Sequence, residues 1–287
     1  MPWLRLLPLL VLAVFAVSPS VASASSFFCN GSSGAKYIVF GSTLVEGASC
    51  SGEVVVDSSV DSIGEWAFFA NKAITSVELP QGLKSIGDYA FYSNTSLKEA
   101  SLPDSLRSIG SYAFYFSKRL KEASLPENLQ SIGSYAFCYT DLPSVTVPGS
   151  LQTISSHSFS RINKLATVNI SEGVKSVGSL AFADNQSLKR LNLPSTLQSI
   201  SSYAFYMNPS LKSVTLPAEI KSLGSYSFAY SQQLKAVSFT GKAPSVGSAA
   251  FLFAAPAAKA YRRPGLQGFG KNGAKFHGLI VGNPPSN

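Results

Sequence analysis

The chain has 287 residues, of which 45% are hydrophobic and 13% are charged. This composition is too apolar for an intrinsically disordered protein and is sufficient for a large core. The formal net charge is +8 and is confined to one end, because the residues from Ile220 onward carry eight Lys or Arg and no Asp or Glu. A basic end can attract polyanions, but the sequence has no zinc-ligand spacing and no nucleic-acid recognition motif, so we expect no nucleic-acid partner.

Residues 1–24 are predicted to be a secretory signal peptide. Arg5 precedes an apolar run from Leu6 to Val17, and Ala22-Ser23-Ala24 forms a small-residue cleavage site. The run is shorter than the roughly 20 residues needed to cross a bilayer. We therefore expect cleavage after Ala24, no transmembrane segment, and a secreted or cell-surface protein.

Residues 25–53 are predicted to form an N-terminal cap. They contain an expected hairpin around Gly41-Ser42, which Cys29 and Cys50 flank. In an oxidising compartment these two cysteines are a candidate disulfide, which would contribute roughly 3 kcal/mol on the chain-entropy model. The third cysteine, Cys138, is interpreted as a small hydrophobic residue, and the alternative is a redox-active or cross-linking thiol.

Residues 54–251 are built from one repeat. A Phe preceded by Ala or Ser recurs nine times, at steps of 23 residues with a single step of 22. The pattern around each Phe is Leu-x-x-Ile-Gly-x-x-Ala-Phe, followed by Leu-x-x-Val-x-Leu and usually by Pro. The repeated residues are Phe68, Phe91, Phe114, Phe137, Phe159, Phe182, Phe205, Phe228 and Phe251.

This repeat predicts a solenoid of parallel β-strands stacked at a 23-residue period. One unit cannot bury its own apolar face, whereas stacked units form a continuous core. The second apolar segment alternates as a strand does, with Val214 and Leu216 inward and Ser213 and Thr215 outward in one coil. We expect the Ala-Phe pair to form a short helical turn, and the Gly column, occupied twice by Ser, to require a small residue.

The pattern resembles the leucine-rich repeats of the Treponema pallidum type, which occur in BspA-like surface proteins. The stretch Leu83 to Pro103, LKSIGDYAFYSNTSLKEASLP, keeps the family motif LxxIGxxAFxxNxxLxxVxLP nearly entire. The resemblance implies a leucine-rich-repeat solenoid capped at both ends, with residues 252–287 as the C-terminal cap and basic tail. It also implies a recognition protein without catalytic residues.

The candidate partner-binding surface is the outward side of the strands, where such repeats usually bind. Its residues are mostly small and polar, so the alternative is that they only solvate the face. The candidate residues are Ser76, Glu78, Glu99, Ser101, Glu122, Ser124, Thr146, Thr167, Asn169, Arg190, Asn192 and Thr215.

The sequence shows no constellation for catalysis. It offers two His, three Cys and scattered acids, without a nucleophile, a phosphate-binding loop or a metal-ligand cluster. Glu78, Glu99 and Glu122 are expected to lie close together, but three Glu without further ligands are a weak calcium signal. We therefore expect no enzyme activity, no metal and no cofactor.

A column of aromatic residues precedes the Ala-Phe pairs. It has two interpretations: an interface rich in Tyr, or rings that pack on one another along the ridge and shield the core. We favour packing along the ridge. The column contains Trp66, Tyr89, Tyr112, Tyr135, His157, Tyr203 and Tyr226, and Leu180 takes the place of a ring between His157 and Tyr203.

The predicted function is binding of an extracellular or surface protein through the strand face, in adhesion to host matrix or to another cell. One alternative is a structural protein that associates with itself in an envelope layer. Another is binding of a polyanion such as an acidic glycan by the basic end, through Lys259, Arg262, Arg263, Lys271 and Lys275.

Overall fold

A computed structural model describes residues 24–29 and 34–284. The predicted signal peptide lies outside the described residues except for Ala24, which begins the first strand. Within the described residues the one helical segment is a 3-10 helix, Gly149–Leu151. The strands are β1 Ala24–Phe28, β2 Lys36–Phe40, β3 Thr43–Glu46, β4 Gly52–Val55, β5 Ser62–Ile63, β6 Ile74–Glu78, β7 Ser85–Ile86, β8 Glu99–Ser101, β9 Ser108–Ile109, β10 Ser131–Ile132, β11 Ser144–Val147, β12 Thr153–Ile154, β13 Thr167–Ile170, β14 Ser176–Val177, β15 Arg190–Asn192, β16 Ser199–Ile200, β17 Ser213–Leu216, β18 Ser222–Leu223, β19 Ala236–Phe239, β20 Ser245–Val246, β21 Lys259–Arg262, β22 Lys275–Phe276 and β23 Leu279–Gly282.

The predicted parallel solenoid is confirmed. Each regular coil contributes a two-residue strand to a face that we call the rung face, and most coils add a longer strand to a second face that we call the strand face. The strand face consists of three sheets in the orders β4-β6-β8, β11-β13-β15 and β17-β19-β21-β23-β22. The rung face consists of two, β1-β2-β3-β5-β7-β9-β10 and β12-β14-β16-β18-β20. Neither face is therefore continuous along the molecule.

The core is a column of stacked Phe rings that runs the length of the repeats. Neighbouring rings lie 5.0 to 5.7 Å apart, and their planes are close to parallel. This spacing follows the separation of adjacent strands, about 4.8 Å, because every coil places its Phe at the same position. The rings are buried, as are the Leu, Ile and Val columns on either side.

The Ala-Phe segment is a turn, but the expected short helical turn is wrong. Trp66 and Ala70 have positive φ angles of 61° and 52°, which no right-handed helix contains. Phe69 N–H donates to Trp66 O within the turn, at 2.9 Å, whereas Phe68 N–H donates to Ala90 O of the next coil, at 2.8 Å. Half of the backbone N–H groups in the turn therefore donate to the neighbouring coil. These bonds form a third series of hydrogen bonds along the solenoid, in addition to those of the strand face and the rung face.

The Gly column requires a small residue, as predicted. These glycines do not have the positive φ that would favour Gly for its backbone freedom. A Cβ added to Gly87 would lie 2.7 Å from Glu65 N and 2.8 Å from Gly64 C, which are backbone atoms of the preceding coil. Adjacent coils therefore approach each other at this point too closely for most side chains.

The N-terminal cap contains the predicted hairpin, formed by β2 and β3, and β1 adds a further antiparallel strand on β2. β3 then pairs in parallel with β5, so the cap continues directly into the rung face. The candidate disulfide is confirmed: Cys29 and Cys50 are bonded, with their Cα atoms 5.5 Å apart. Cys138 is free and buried, as expected for a small core residue, and burial raises the pKa of its thiol.

Candidate binding surface

The candidate residues lie in two columns on the strand face, in the register that the sequence predicts. The first column contains Ser76, Glu99, Glu122, Thr167 and Arg190, and the second contains Glu78, Ser101, Ser124, Thr146, Asn169, Asn192 and Thr215. Ser76 pairs with Glu99 and Glu99 with Glu122 in the first column, while Thr146 pairs with Asn169 in the second. Ser76, Thr167 and Asn169 are partly exposed, and the other candidate residues are exposed. The strand face thus presents a regular array of polar side chains to solvent.

The first column changes in character along the solenoid. Glu99 and Glu122 are direct neighbours across a β-bridge, whereas Glu78 pairs with Ser101 in the second column. The expected cluster of three Glu is therefore an adjacent pair, Glu99 and Glu122, with Glu78 in the second column. Like charges at adjacent strand positions repel, so this acidic part favours a positively charged group from a partner.

The opposite part of the strand face is ordered by side-chain hydrogen bonds between coils. Arg190 Nη2 donates to Thr167 Oγ1 at 2.8 Å, and Asn192 Nδ2 donates to Asn169 Oδ1 at 2.6 Å. The two bonds are parallel neighbours on one sheet, because β13 and β15 pair in register. They fix the orientation of side chains that would otherwise lose rotamer freedom on binding.

The strand face is interrupted between Glu122 and Ser144, at the coil that is one residue short. In most coils, the residue that follows the first Leu of the Leu-x-x-Val-x-Leu segment donates its backbone N–H to the preceding coil. Lys121, which follows Leu120, donates in this way to Lys98 O at 2.9 Å. In the short coil that residue is Pro143, which has no N–H to donate. A cleft of about 370 Å³ opens there.

A second interruption lies between β15 and β17. In the chain that the structure describes, Lys212 N–H has no backbone acceptor in the preceding coil, although Lys189 and Lys235 N–H donate normally. A cleft of about 420 Å³ occupies this position, lined in part by Asn192 and Thr215 of the second column. The strand face is therefore divided into three parts.

The aromatic column confirms the interpretation that its rings pack along the ridge. Trp66 stacks on Tyr89 with ring centroids 4.2 Å apart, and Tyr89 stacks on Tyr112 at 4.9 Å. The series continues through Tyr135 to His157, 4.1 Å away. Because each ring covers the face of the next, the ridge presents mainly ring edges to solvent.

The basic end continues the strand face into the C-terminal cap. Lys259 pairs with Ala236 of the first column, and Lys259 and Lys275 flank Ile280 in the same row of the sheet. Arg262 differs from the other candidate polyanion residues, because its Nη2 donates to Gly270 O at 3.2 Å and holds the cap loop. Lys259, Lys275, Arg263 and Lys271 are exposed.

The described residues contain neither a metal-ligand cluster nor a membrane-spanning helix. Among them, no three His, Cys, Asp or Glu side chains are grouped so that they could hold a metal ion. Likewise, no helix within residues 24–29 and 34–284 has the length and apolar character needed to cross a membrane. The side chains that the strand face presents are hydroxyl, amide, carboxylate and guanidinium groups, which can form hydrogen bonds and charge pairs.

The fold and its polar strand face define a repeat protein of the parallel solenoid class. A model of the BspA-type leucine-rich repeat region matches residues 46–166 and 152–257, in six copies. The chain therefore belongs to the BspA-type leucine-rich repeat proteins.

Two solved structures show the same architecture. A leucine-rich repeat protein from Bacteroides ovatus ATCC 8483 is 22% identical, with a TM-score of 0.56, and the match covers 85% of this chain and 70% of that one. The leucine-rich repeat protein of T. pallidum is 26% identical, with a TM-score of 0.55, over 67% of this chain and 82% of that one. A comparison with curated proteins finds no match.

Proposed function

We propose that this chain is a secreted or cell-surface protein that binds another protein through its strand face, in adhesion to host matrix or to another cell. The observation that carries the proposal is the pair of exposed polar columns in register, with an acidic part at Glu99 and Glu122 and an ordered part at Arg190. Such an array offers specific contacts over several coils, on a scaffold whose core is independent of the exposed residues.

Secretion is supported by two features. The first 24 residues have the charge, apolar run and small-residue site of a signal peptide, and the chain beyond them carries the Cys29–Cys50 disulfide. Disulfides persist in oxidising compartments, which secreted proteins reach. Cleavage after Ala24 leaves Ser25–Phe28 of β1 on the mature chain and so preserves the cap.

The test is binding of the chain from Ser25 to a panel of matrix proteins at low and physiological salt. Replacing Glu99, Glu122 and Arg190 together by Ala should weaken binding to the recognised protein at least tenfold, because it removes three charged groups of the first column.

The matched control replaces Glu65, Asp104 and Arg119 by Ala. These residues are exposed, lie outside the two columns, and give the same change in net charge. Equal loss of binding in both triple variants would contradict recognition by the strand face. If neither the parent chain nor the control binds any matrix protein, the self-associating structural role is favoured. Particle size measured as a function of protein concentration would then test that role.

The charge distribution supports a second candidate, binding of an acidic glycan by the basic end. All of the net positive charge lies after Glu219, and Lys259 and Lys275 share one row of the sheet. Changing both to Glu should abolish binding to heparin, and binding by the parent chain should fall steeply between low and physiological salt. Heparin binding that persists in this double variant would contradict the proposed site.

A further inference from the structure

Each end of the solenoid has a step. At the N-terminal end, β3 and β4 belong to the first coil, and β2 and β1 extend the rung face two strands beyond it. At the C-terminal end, β20 and β21 belong to the last coil, and β23 and β22 extend the strand face two strands beyond it. Adjacent strands lie about 4.8 Å apart, so each step is about 10 Å high. The two steps are therefore equal in height and lie on opposite faces of the molecule.

The two steps are complementary when one copy of the chain stacks on another in the same orientation. β22 of one copy then lies beside β4 of the next copy, and β1 of that next copy lies beside β20 of the first. Because β22 is antiparallel to β23, it pairs with β4 in the antiparallel sense. Because β1 and β3 are both antiparallel to β2, β1 pairs with β20 in the parallel sense. Both sheets thus continue from one copy to the next without a missing strand.

The strand face ends in an open edge at β4. Val56 N–H donates to Glu78 O of the next coil at 3.0 Å. Successive residues of a strand direct their backbone groups to opposite edges, so those of Glu53 and Val55 point away from the solenoid. Within the described residues, no strand pairs with the outer edge of β4, and the same holds for β1, β20 and β22. Such an edge is a template for pairing with another chain.

The rung face ends in a less protected edge at β20. The loop between β21 and β22 covers only the segment before this strand, where Gln267 O accepts the N–H of Ala243 at 3.2 Å. Val246 of β20 is partly exposed, whereas Leu223 in the same column of the preceding coil is 2% exposed. The last apolar row of the rung face therefore lacks the cover that every earlier row receives from the next coil.

The two ends carry opposite charges. Residues 25–61 contain four acids and one base, whereas residues 252–287 contain five bases and no acid. Glu53 pairs with Ser76 and begins the first column, and Lys275 ends the same column beyond Ile280. Both side chains are exposed. Head-to-tail stacking places Lys275 of one copy opposite Glu53 of the next, which is a favourable cross-strand pair.

The same two charges disfavour the symmetric arrangements. Pairing of β4 with a second β4 brings two Glu53 side chains together, and pairing of β22 with a second β22 brings two Lys275 side chains together. Like charges on adjacent strands repel, and charged residues are a common means of blocking such edges. The charges therefore select contact between unlike ends.

Apolar side chains are exposed at both steps. Phe28, at the end of β1, is 63% exposed, and Leu252 and Phe253, in the turn after β20, are 39% and 57% exposed. By its pairings Ser25 continues the column that Val246 ends, so stacking brings Phe28, three residues further on, to the side of this turn. Contact between these side chains removes apolar surface from water.

We propose that the chain binds further copies of itself head to tail through these two steps and forms an open filament. The interface joins unlike surfaces, so it does not close into a symmetric dimer and can repeat without limit. The occupant of each step is a second copy because the chain itself supplies the equal height, the strand directions and the opposite charges. The inference goes beyond the proposed function and does not rest on it, since the strand face stays exposed along the filament.

The first test measures the particle size of the chain from Ser25 by sedimentation velocity at low salt. We expect the size to grow over about a hundredfold range of protein concentration, because association follows mass action. High salt should shorten the filaments, since the pair of Glu53 and Lys275 is formed between exposed side chains. A monomer at every concentration would overturn the proposal.

Two charge reversals locate the interface. Lys275→Glu and Glu53→Lys should each weaken association at least tenfold, because each places like charges opposite one another. An equimolar mixture of the two variants should assemble, because each end of one variant is complementary to the opposite end of the other. A mixture that stays monomeric, with both variants keeping the circular dichroism of the parent chain, would overturn the proposal.

Lys189→Glu is the matched control for Lys275→Glu. Lys189 is exposed in the middle of the solenoid, and its reversal changes the net charge equally, so association should be unchanged. Glu53→Lys separates the filament from glycan binding, because Lys275 belongs to the candidate glycan site and Glu53 does not. This variant should assemble poorly and still bind heparin. Assembly that Glu53→Lys leaves intact, or that Lys189→Glu weakens as much as Lys275→Glu does, would contradict the stepped interface.

Discussion

Each turn of the solenoid holds two side-chain-bearing residues in the left-handed backbone region. In one coil these are Tyr112 and Phe116, with φ angles of 57° and 62°. This conformation costs a residue with a Cβ about 1–2 kcal/mol. Tyr112 offsets the cost by stacking on Tyr89 and Tyr135, at 4.9 and 4.8 Å, and by its N–H bond to Ser134 O.

Because strain and stacking oppose each other, we predict that the Gly variant at Tyr112 is more stable than the Ala variant. Tyr112→Ala loses both stacking contacts but keeps the strained Cβ, and should lower the free energy of unfolding by about 1–3 kcal/mol. Tyr112→Gly loses the same contacts without the strain, and should be about 0.5–1 kcal/mol more stable than the Ala variant. Denaturant unfolding measures both. At Tyr115, whose φ is not positive, Ala should be the more stable of the two, and the same order at both sites would refute the explanation.

His157 replaces Tyr in the aromatic column and adds a pH dependence. Burial, and to a smaller extent the nearby Arg161, lower the pKa of His157. The folded state therefore favours the neutral ring, so this contribution to stability is complete above the ordinary pKa of about 6.5 and is lost as the pH falls through the folded-state pKa. His157→Tyr should reduce the fall in melting temperature between pH 7.5 and pH 5. The exposed His277→Tyr should not, and an equal effect of both would contradict this assignment.

Adjacent coils stack with their backbones in close approach at the Gly column. Gly87→Ala forces a Cβ against backbone atoms of Glu65 and Gly64, and should lower the free energy of unfolding by about 1–3 kcal/mol through overpacking. Gly82→Ala is the matched control, since a Cβ there meets no atom within 4 Å. Its effect should stay within about 0.5 kcal/mol. Thermal or denaturant unfolding of the two variants decides between close approach and a general requirement for Gly.

The whole molecule behaves as a stack in which each coil contacts only its neighbours. Deleting residues 90–112 removes one period of 23 and joins Tyr89 to Ala113, so every column stays in register. We expect the variant to fold, with the same circular dichroism per residue and a loss of about one-ninth of the free energy of unfolding.

Deleting residues 90–111 is the control for that prediction. It leaves one extra residue in the turn, where a left-handed residue and the donors to the next coil have fixed positions. This variant should be the less stable of the two, as measured by urea unfolding. Equal stability would contradict a solenoid held in register by its turns.

The sequence alone determined the period, the core and the register of the exposed columns. These follow from local rules: the Phe of each coil must be buried, and a strand that alternates Val214 and Thr215 can place only one of them inward. The sequence also predicts the disulfide, because Cys29 and Cys50 flank one hairpin. The interruption at Pro143 also has signals in the sequence, a step of 22 residues and a missing donor, but neither signal by itself predicts a gap in the strand face.

Only the tertiary structure decided the shape of the turn and the division of the strand face. The Ala-Phe segment has the composition of a short helix, but neighbouring coils accept half of its N–H bonds and select a backbone with left-handed residues at Trp66 and Ala70. The gap before β17 has no counterpart in its own coil's sequence. Both features arise from hydrogen bonds between residues about 23 positions apart, and such bonds depend on how the coils stack, which no local pattern specifies.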